Sequence, residues 1–153
     1  MAFRYSTGCF NSILTTLKTD FTDGVIRLYT GAQPTSPDAA VTGTLIGTVT
    51  LAGAAFTPGS AAGGLEFDAA VGATLSKAAL EEWKFTADAA GTIGWFRFVS
   101  NSVLEDGAAS TTIKRLDGSV GVTTGDMRMS KVTYAIGETG VIQSFTIPLS
   151  NIS

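Results

Sequence analysis

Gly91-Thr92-Ile93-Gly94-Trp95-Phe96-Arg97-Phe98-Val99-Ser100 is the most apolar strand-like stretch of the chain. Period-two alternation places Phe96 and Phe98 on one face and Ile93, Trp95 and Val99 on the other, with Arg97 among them. A strand that is apolar on both faces must be covered on both, as at the centre of a two-layer structure. A charge inside it is costly unless exposed or paired, so Arg97 is a candidate subunit contact, where arginine is enriched.

The neighbouring segments read the same way. Val25 to Thr30 sets Ile26 and Leu28 on one face and Arg27 and Tyr29 on the other. Leu45 to Leu51 separates Leu45, Val49 and Leu51 from Thr48 and Thr50, and Glu82 to Thr86 turns Trp83 and Phe85 inward. Leu65-Glu66-Phe67 is a short strand candidate, and Leu75 to Leu80 reads as a helical turn or a loop. Thr111 to Leu116, Ser119 to Val122, Asp126 to Ser130, Lys131 to Ile136 and Gly140 to Leu149 complete nine or ten strands. Asp117-Gly118 has the composition of a hairpin turn, whose residues must tolerate positive φ. The segments Gly31 to Asp38 and Ala52 to Gly64 are loops by composition.

Only the N-terminal segment has helical spacing. Phe10, Ile13, Leu14, Leu17 and Phe21 form one stripe opposite Asn11, Thr15 and Lys18, with Ser6 or Thr7 as N-cap and Asp23-Gly24 at the end. Strands that do not alternate with long helices exclude a parallel βαβ architecture. The expected fold is therefore all-β and mainly antiparallel: a jelly-roll-like β-sandwich forming one domain over residues 1–153, with an amphipathic helix at about 7–20.

Composition removes several chemistries. The 153 residues include 18 glycines, one cysteine and no histidine, with 15% charged and a formal charge of −3. Without histidine there is no imidazole base, no Ser–His or Cys–His pair and no zinc site of the usual kind. Cys9 alone cannot form an intrachain disulfide. No basic cluster suits a nucleic-acid backbone, and no apolar run of about 20 residues suits a membrane span. The start lacks a signal-peptide pattern, so synthesis in the cytosol is expected.

The remaining candidates have plainer explanations. Glu66 with Asp68, Glu81 with Glu82, and Glu105 with Asp106 are the carboxylate pairs a histidine-free glycan hydrolase would need, yet surface charge accounts for them. Asp117-Gly118 and Gly125-Asp126 lack the spacing of a calcium loop. Gly59, Gly63 and Gly64 lack the context of a phosphate-binding loop. Trp83, Trp95, Phe96 and Phe98 could form a carbohydrate platform, but their alternation is that of a core. No catalytic, cofactor or metal site is expected, and no enzyme.

Several local signatures resemble a family of small structural proteins of tailed bacteriophages and prophages. They are Arg4-Tyr5-Ser6-Thr7-Gly8 leading into the helix, Val25-Ile26-Arg27-Leu28-Tyr29-Thr30-Gly31-Ala32-Gln33-Pro34 followed by Asp38-Ala39-Ala40, Gly91 to Arg97, and Leu116-Asp117-Gly118-Ser119-Val120-Gly121. The resemblance implies a non-enzymatic virion component, made in the host cytoplasm, with a β-sandwich fold. Within that class the expectation is a capsid decoration (cement) protein that bridges capsomers and contacts the major capsid protein, as a homo-oligomer and most simply a trimer. Phe3, Arg4 and Tyr5, together with Arg97, are its candidate interface residues, since aromatic and cationic side chains make contact anchors. The alternatives are a tail or neck subunit (tube, terminator or collar) and a carbohydrate-binding module using Trp83 or Trp95.

Overall fold

The computed structural model describes residues 4–104 and 107–150. Ser6 has extended backbone and its hydroxyl accepts the amide of Cys9 at 3.2 Å, which starts helix α1 at Thr7–Phe21. Phe10, Leu14 and Phe21 are buried and Leu17 is half-buried. Ile13 lies on the shoulder of that stripe and stays 47% exposed. The chain leaves the helix through Asp23 in the left-handed region (φ 59°) and Gly24, whose amide bonds the Phe21 carbonyl at 3.0 Å. A Cβ at Gly24 would lie 2.4 Å from the Val99 carbonyl oxygen, so the turn requires glycine. No helix among the described residues is long and apolar enough to cross a membrane.

Ten strands follow: β1 (Val25–Thr30), β2 (Leu45–Leu51), β3 (Thr74–Ser76), β4 (Trp83–Thr86), β5 (Gly91–Val99), β6 (Arg115–Gly121), β7 (Met127–Arg128), β8 (Thr133–Tyr134), β9 (Thr139–Ile142) and β10 (Thr146–Pro148). Eight belong to one sheet of order β7-β6-β5-β1-β2-β4-β9, with β8 also on β5, while β10 pairs with β3. Pairing is antiparallel except between β6 and β7. The fold is thus mostly β with a single helix, as its alternating pattern predicts.

The sheet curls over its own inner face until it is nearly closed. Trp83 of β4 meets Phe98 of β5 edge-on at 5.9 Å, although β1 and β2 separate their strands. Phe85 likewise meets Tyr134 of β8 at 5.0 Å. Inside lie Ile26, Leu28, Phe96 and Phe98, joined by Phe67 and Phe145 from the loops; Phe21 of α1 seats edge-on against Phe98 at 5.0 Å. Burial of this apolar surface is the main stabilising term, as it must be where no disulfide is available.

Several expectations are corrected by tertiary pairing. Asp117-Gly118 is no hairpin turn: it lies mid-strand in β6, so the two strands read on either side of it are one. Asp117 stands opposite Arg97, and a Cβ at Gly118 would lie 2.5 Å from the Phe96 ring, so a buried cation and a close ring select the pair. Ile93 joins the inner core rather than the Trp95 face, because the β1–β5 register slips at Gly94 between Tyr29↔Trp95 and Thr30↔Ile93. Of the stretch 75–80, read as a helical turn or a loop, Leu75 and Ser76 end β3, pinned by β10, and 77–80 is loop. Leu65 and Phe67 form only single bridges, to Gly24 and Lys77. Gly140 to Leu149 divides into β9 and β10.

Candidate functional site

Arg97 projects from the outer face of β5 into a buried cluster. Its Nε and Nη2 donate to the two carboxylate oxygens of Asp117, each at 2.7 Å, and Nη1 donates to the Ala39 carbonyl at 3.1 Å. Both charged side chains are 0% exposed. The guanidinium lies 5.5 Å from the centre of the Trp95 ring, which stacks on Tyr29 at 4.6 Å. A planar fork on a carboxylate is the arrangement that offsets the desolvation of two charges. Arg97 is therefore a buried ion pair and not a surface subunit contact, because its side chain is 0% exposed and its guanidinium is bonded within the chain.

The same cluster fixes the loop between β1 and β2. Arg115 donates to the Pro37 carbonyl at 3.4 Å, Val41 N–H to Gly107 at 2.9 Å, and Ser110 N–H to Asp38 at 2.8 Å. The loop between β1 and β2, Gly- and Pro-containing by composition, is a strap lying across β5 and β6. Beyond it the outer face opens into a groove of about 480 Å³, floored by Arg27, Thr48 and Thr50 and walled by Phe56 and Pro58. Asn101 staples that wall, accepting from Gly59 N–H at 2.7 Å and donating to Ser60 at 2.9 Å.

The carboxylate candidates are occupied locally. Glu81 Oε2 accepts the indole N–H of Trp83 at 2.7 Å and the amide of Glu66 at 2.9 Å, while Asp68 accepts the Ala79 amide at 3.0 Å. Burial pushes the Glu66 carboxyl above the ordinary range, opposed by the hydrogen bond from the Asp23 amide. Asp126 accepts from both the amide and hydroxyl of Ser119, which holds its carboxyl below the ordinary range. Asp117 and Asp126, the two acids considered for calcium, are thus committed to Arg97 and Ser119. Among the described residues no three acidic or sulfur side chains converge as metal ligands. Glu105 and Asp106 lie outside the described residues.

The aromatic platform is corrected as well. Trp83 and Trp95 are both 0% exposed, so neither offers a ring face to a sugar. Trp83 is buried in the inner core against Phe67, Phe98 and Phe145, whereas Trp95 lies on the outer face, stacked on Tyr29 and beside the Arg97 guanidinium. Of the expected N-terminal anchor, Phe3 lies outside the described residues. Arg4 and Tyr5 are exposed, and Tyr5 rests edge-on against Phe10 at 5.8 Å.

Sequence reasoning missed Asp117 as the counter-ion and Glu81 as the acceptor for Trp83. The usable signal for the first was the charge itself: an arginine in the most apolar strand demands a buried carboxylate. Comparison of the chain with family models, with curated proteins and with solved structures returns no match in any of the three.

Proposed function

We propose that this protein is a non-enzymatic structural component of a tailed-phage virion, most specifically a capsid decoration protein that stabilises the shell by bridging capsomers. One observation carries the reading. Three of the four segments that resemble that family are distant in sequence, yet they form strands β1, β5 and β6, which are neighbours in the sheet. The likeness therefore follows a folding unit rather than scattered composition. Arg4 and Tyr5 are exposed beside the helix cap, and their aromatic and cationic character suits a contact anchor to the major capsid protein.

In this reading the curled sheet is a jelly-roll-like sandwich, its layers being the β7–β6–β5–β1 half and the β2–β4–β9 half folded over a shared core. The commitment of the Asp68 and Glu81 carboxylates to local hydrogen bonds, and of Glu66 to the Asp23 amide, favours a structural over a hydrolytic role. The protein would be made in the host cytoplasm and function in the particle. Mixing the full chain with bare and expanded capsids and sedimenting tests the proposal: pelleting at a fixed ratio to the shell protein supports it. Failure to bind, with growth into rings or tubes instead, moves the assignment to the tail or neck.

A further inference from the structure

The edges of the sheet are not protected alike. Edge strands expose unpaired backbone groups, and proteins usually guard them with charge, proline or distortion. The β7 edge is two residues long and is flanked by Asp126, Arg128 and Lys131, and β10 ends on Pro148. At β9 a bulge and a charge stand only at the start of the ladder, where Gly137 (φ 82°) and Glu138 both pair with Ala87; from Thr139 to Ser153 the sequence contains no Asp, Glu, Lys or Arg.

The ladder shows which β9 groups face outward. Its partners are Trp83↔Ile142, Lys84↔Val141, Phe85↔Gly140 and Thr86↔Thr139, and Ala87 N–H continues it by donating to Glu138 at 2.8 Å. In an antiparallel pair, hydrogen-bonded and non-bonded positions alternate. Glu138, Gly140 and Ile142 are therefore the positions bonded to β4, and Thr139 and Val141 turn their N–H and C=O groups away from it. Among the described residues none hydrogen-bonds those four groups. Both residues are exposed, Val141 by 42%.

We infer that the outward edge of β9 pairs antiparallel with the same edge of a second copy of this chain, about a two-fold axis at Gly140. The two outward residues are two apart, so this axis sets Thr139 of each copy opposite Val141 of the other. Four N–H···O bonds then use every outward group, and the contact is self-complementary, as a closed dimer requires. The outer-face row across the joint becomes Lys84, Val141, Thr139 and Thr86, in which no charge opposes a like charge. Gly140 keeps the strand in place on its inner side, since a Cβ there would lie 2.3 Å from the Phe85 ring. The inference needs only two copies of the chain, so it stands or falls separately from binding to a capsid.

The test is light scattering of the full chain over a wide concentration range, with residue-level hydrogen exchange on the same samples. The expected result is a dimer, with exchange at the Thr139 and Val141 amides slowing as concentration rises. Val141→Pro removes one outward donor from each copy and is expected to weaken the dimer roughly tenfold or more, two backbone bonds being lost. Val141→Lys keeps the backbone donor but sets the two introduced cations diagonally across the two-fold axis on one face, and it too should dissociate the dimer, which covers the case in which the proline variant fails to fold. A monomer at all concentrations, a trimer, or a dimer in which Thr139 and Val141 exchange like loop amides would each overturn the inference.

Discussion

The two faces of the β1–β5–β6 centre are stabilised by different physics. On the inner face Ile26, Leu28, Phe96 and Phe98 meet rings from four other segments, and no single contact is indispensable. On the outer face a single bidentate pair, Arg97 with Asp117, sits under a strap that it also holds through the Ala39 carbonyl. Apolar burial sums over many small contacts and degrades gradually. A buried ion pair does not, because removing one partner leaves the other charge unsolvated. The outer face should therefore fail abruptly where the inner face yields by degrees.

The sharpest break of that contrast is Asp117→Ala, which strands Arg97 and should cost about 3–5 kcal/mol in chemical denaturation. Replacing both partners by apolar residues, Arg97→Met with Asp117→Leu, should restore most of that loss. A double variant as unstable as the single one would show that the pair does more than neutralise itself.

Gly118→Ala probes the point where the faces share a strand. Its methyl must displace the Phe96 ring, an overpacking expected to cost about 1–3 kcal/mol, measurable as a lower denaturation midpoint. On the inner face alone, Ile26→Val removes one methylene opposite Phe98 and should cost only about 0.5–1.5 kcal/mol. If it instead matched Asp117→Ala, the proposed difference between the faces would be wrong.

The smallest expected effects come from pH. The Asp126 carboxyl is lowered in the folded state, so its contribution to stability is present above the ordinary aspartate pKa of about 3.9 and is lost as pH falls through the folded value. Ser119→Ala removes the hydroxyl donor but keeps the amide, so it should flatten that acid limb only in part. Glu66 has the opposite sign: its raised carboxyl opposes folding at neutral pH, and the penalty is relieved as pH falls. Glu66→Gln should leave neutral-pH stability unchanged or slightly higher, read from thermal midpoints across pH.

Much of this architecture was legible from local pattern. Ser6 and the Phe10–Leu14–Leu17–Phe21 stripe locate α1 to within a residue, and alternation locates β1, β2, β4 and β5, because capping and side-chain period are properties of neighbouring residues. Exclusion of imidazole chemistry, of an intrachain disulfide and of histidine-containing zinc sites follows from composition alone. What the sequence could not decide was anything requiring a partner distant along the chain. Asp117-Gly118 has turn composition, and only Arg97 and Phe96 across the ladder make it strand. Ile13 reads as core and remains outside because nothing packs over that shoulder of the helix. Trp83 and Trp95 could have been platform or core; the curl of the sheet buried Trp83, and Tyr29 with Arg97 packs against Trp95 on the other face. Local free-energy differences between such alternatives are small, about 1 kcal/mol, whereas burying a charge or a ring against a specific neighbour is worth several times that, so the tertiary term prevails wherever the two conflict.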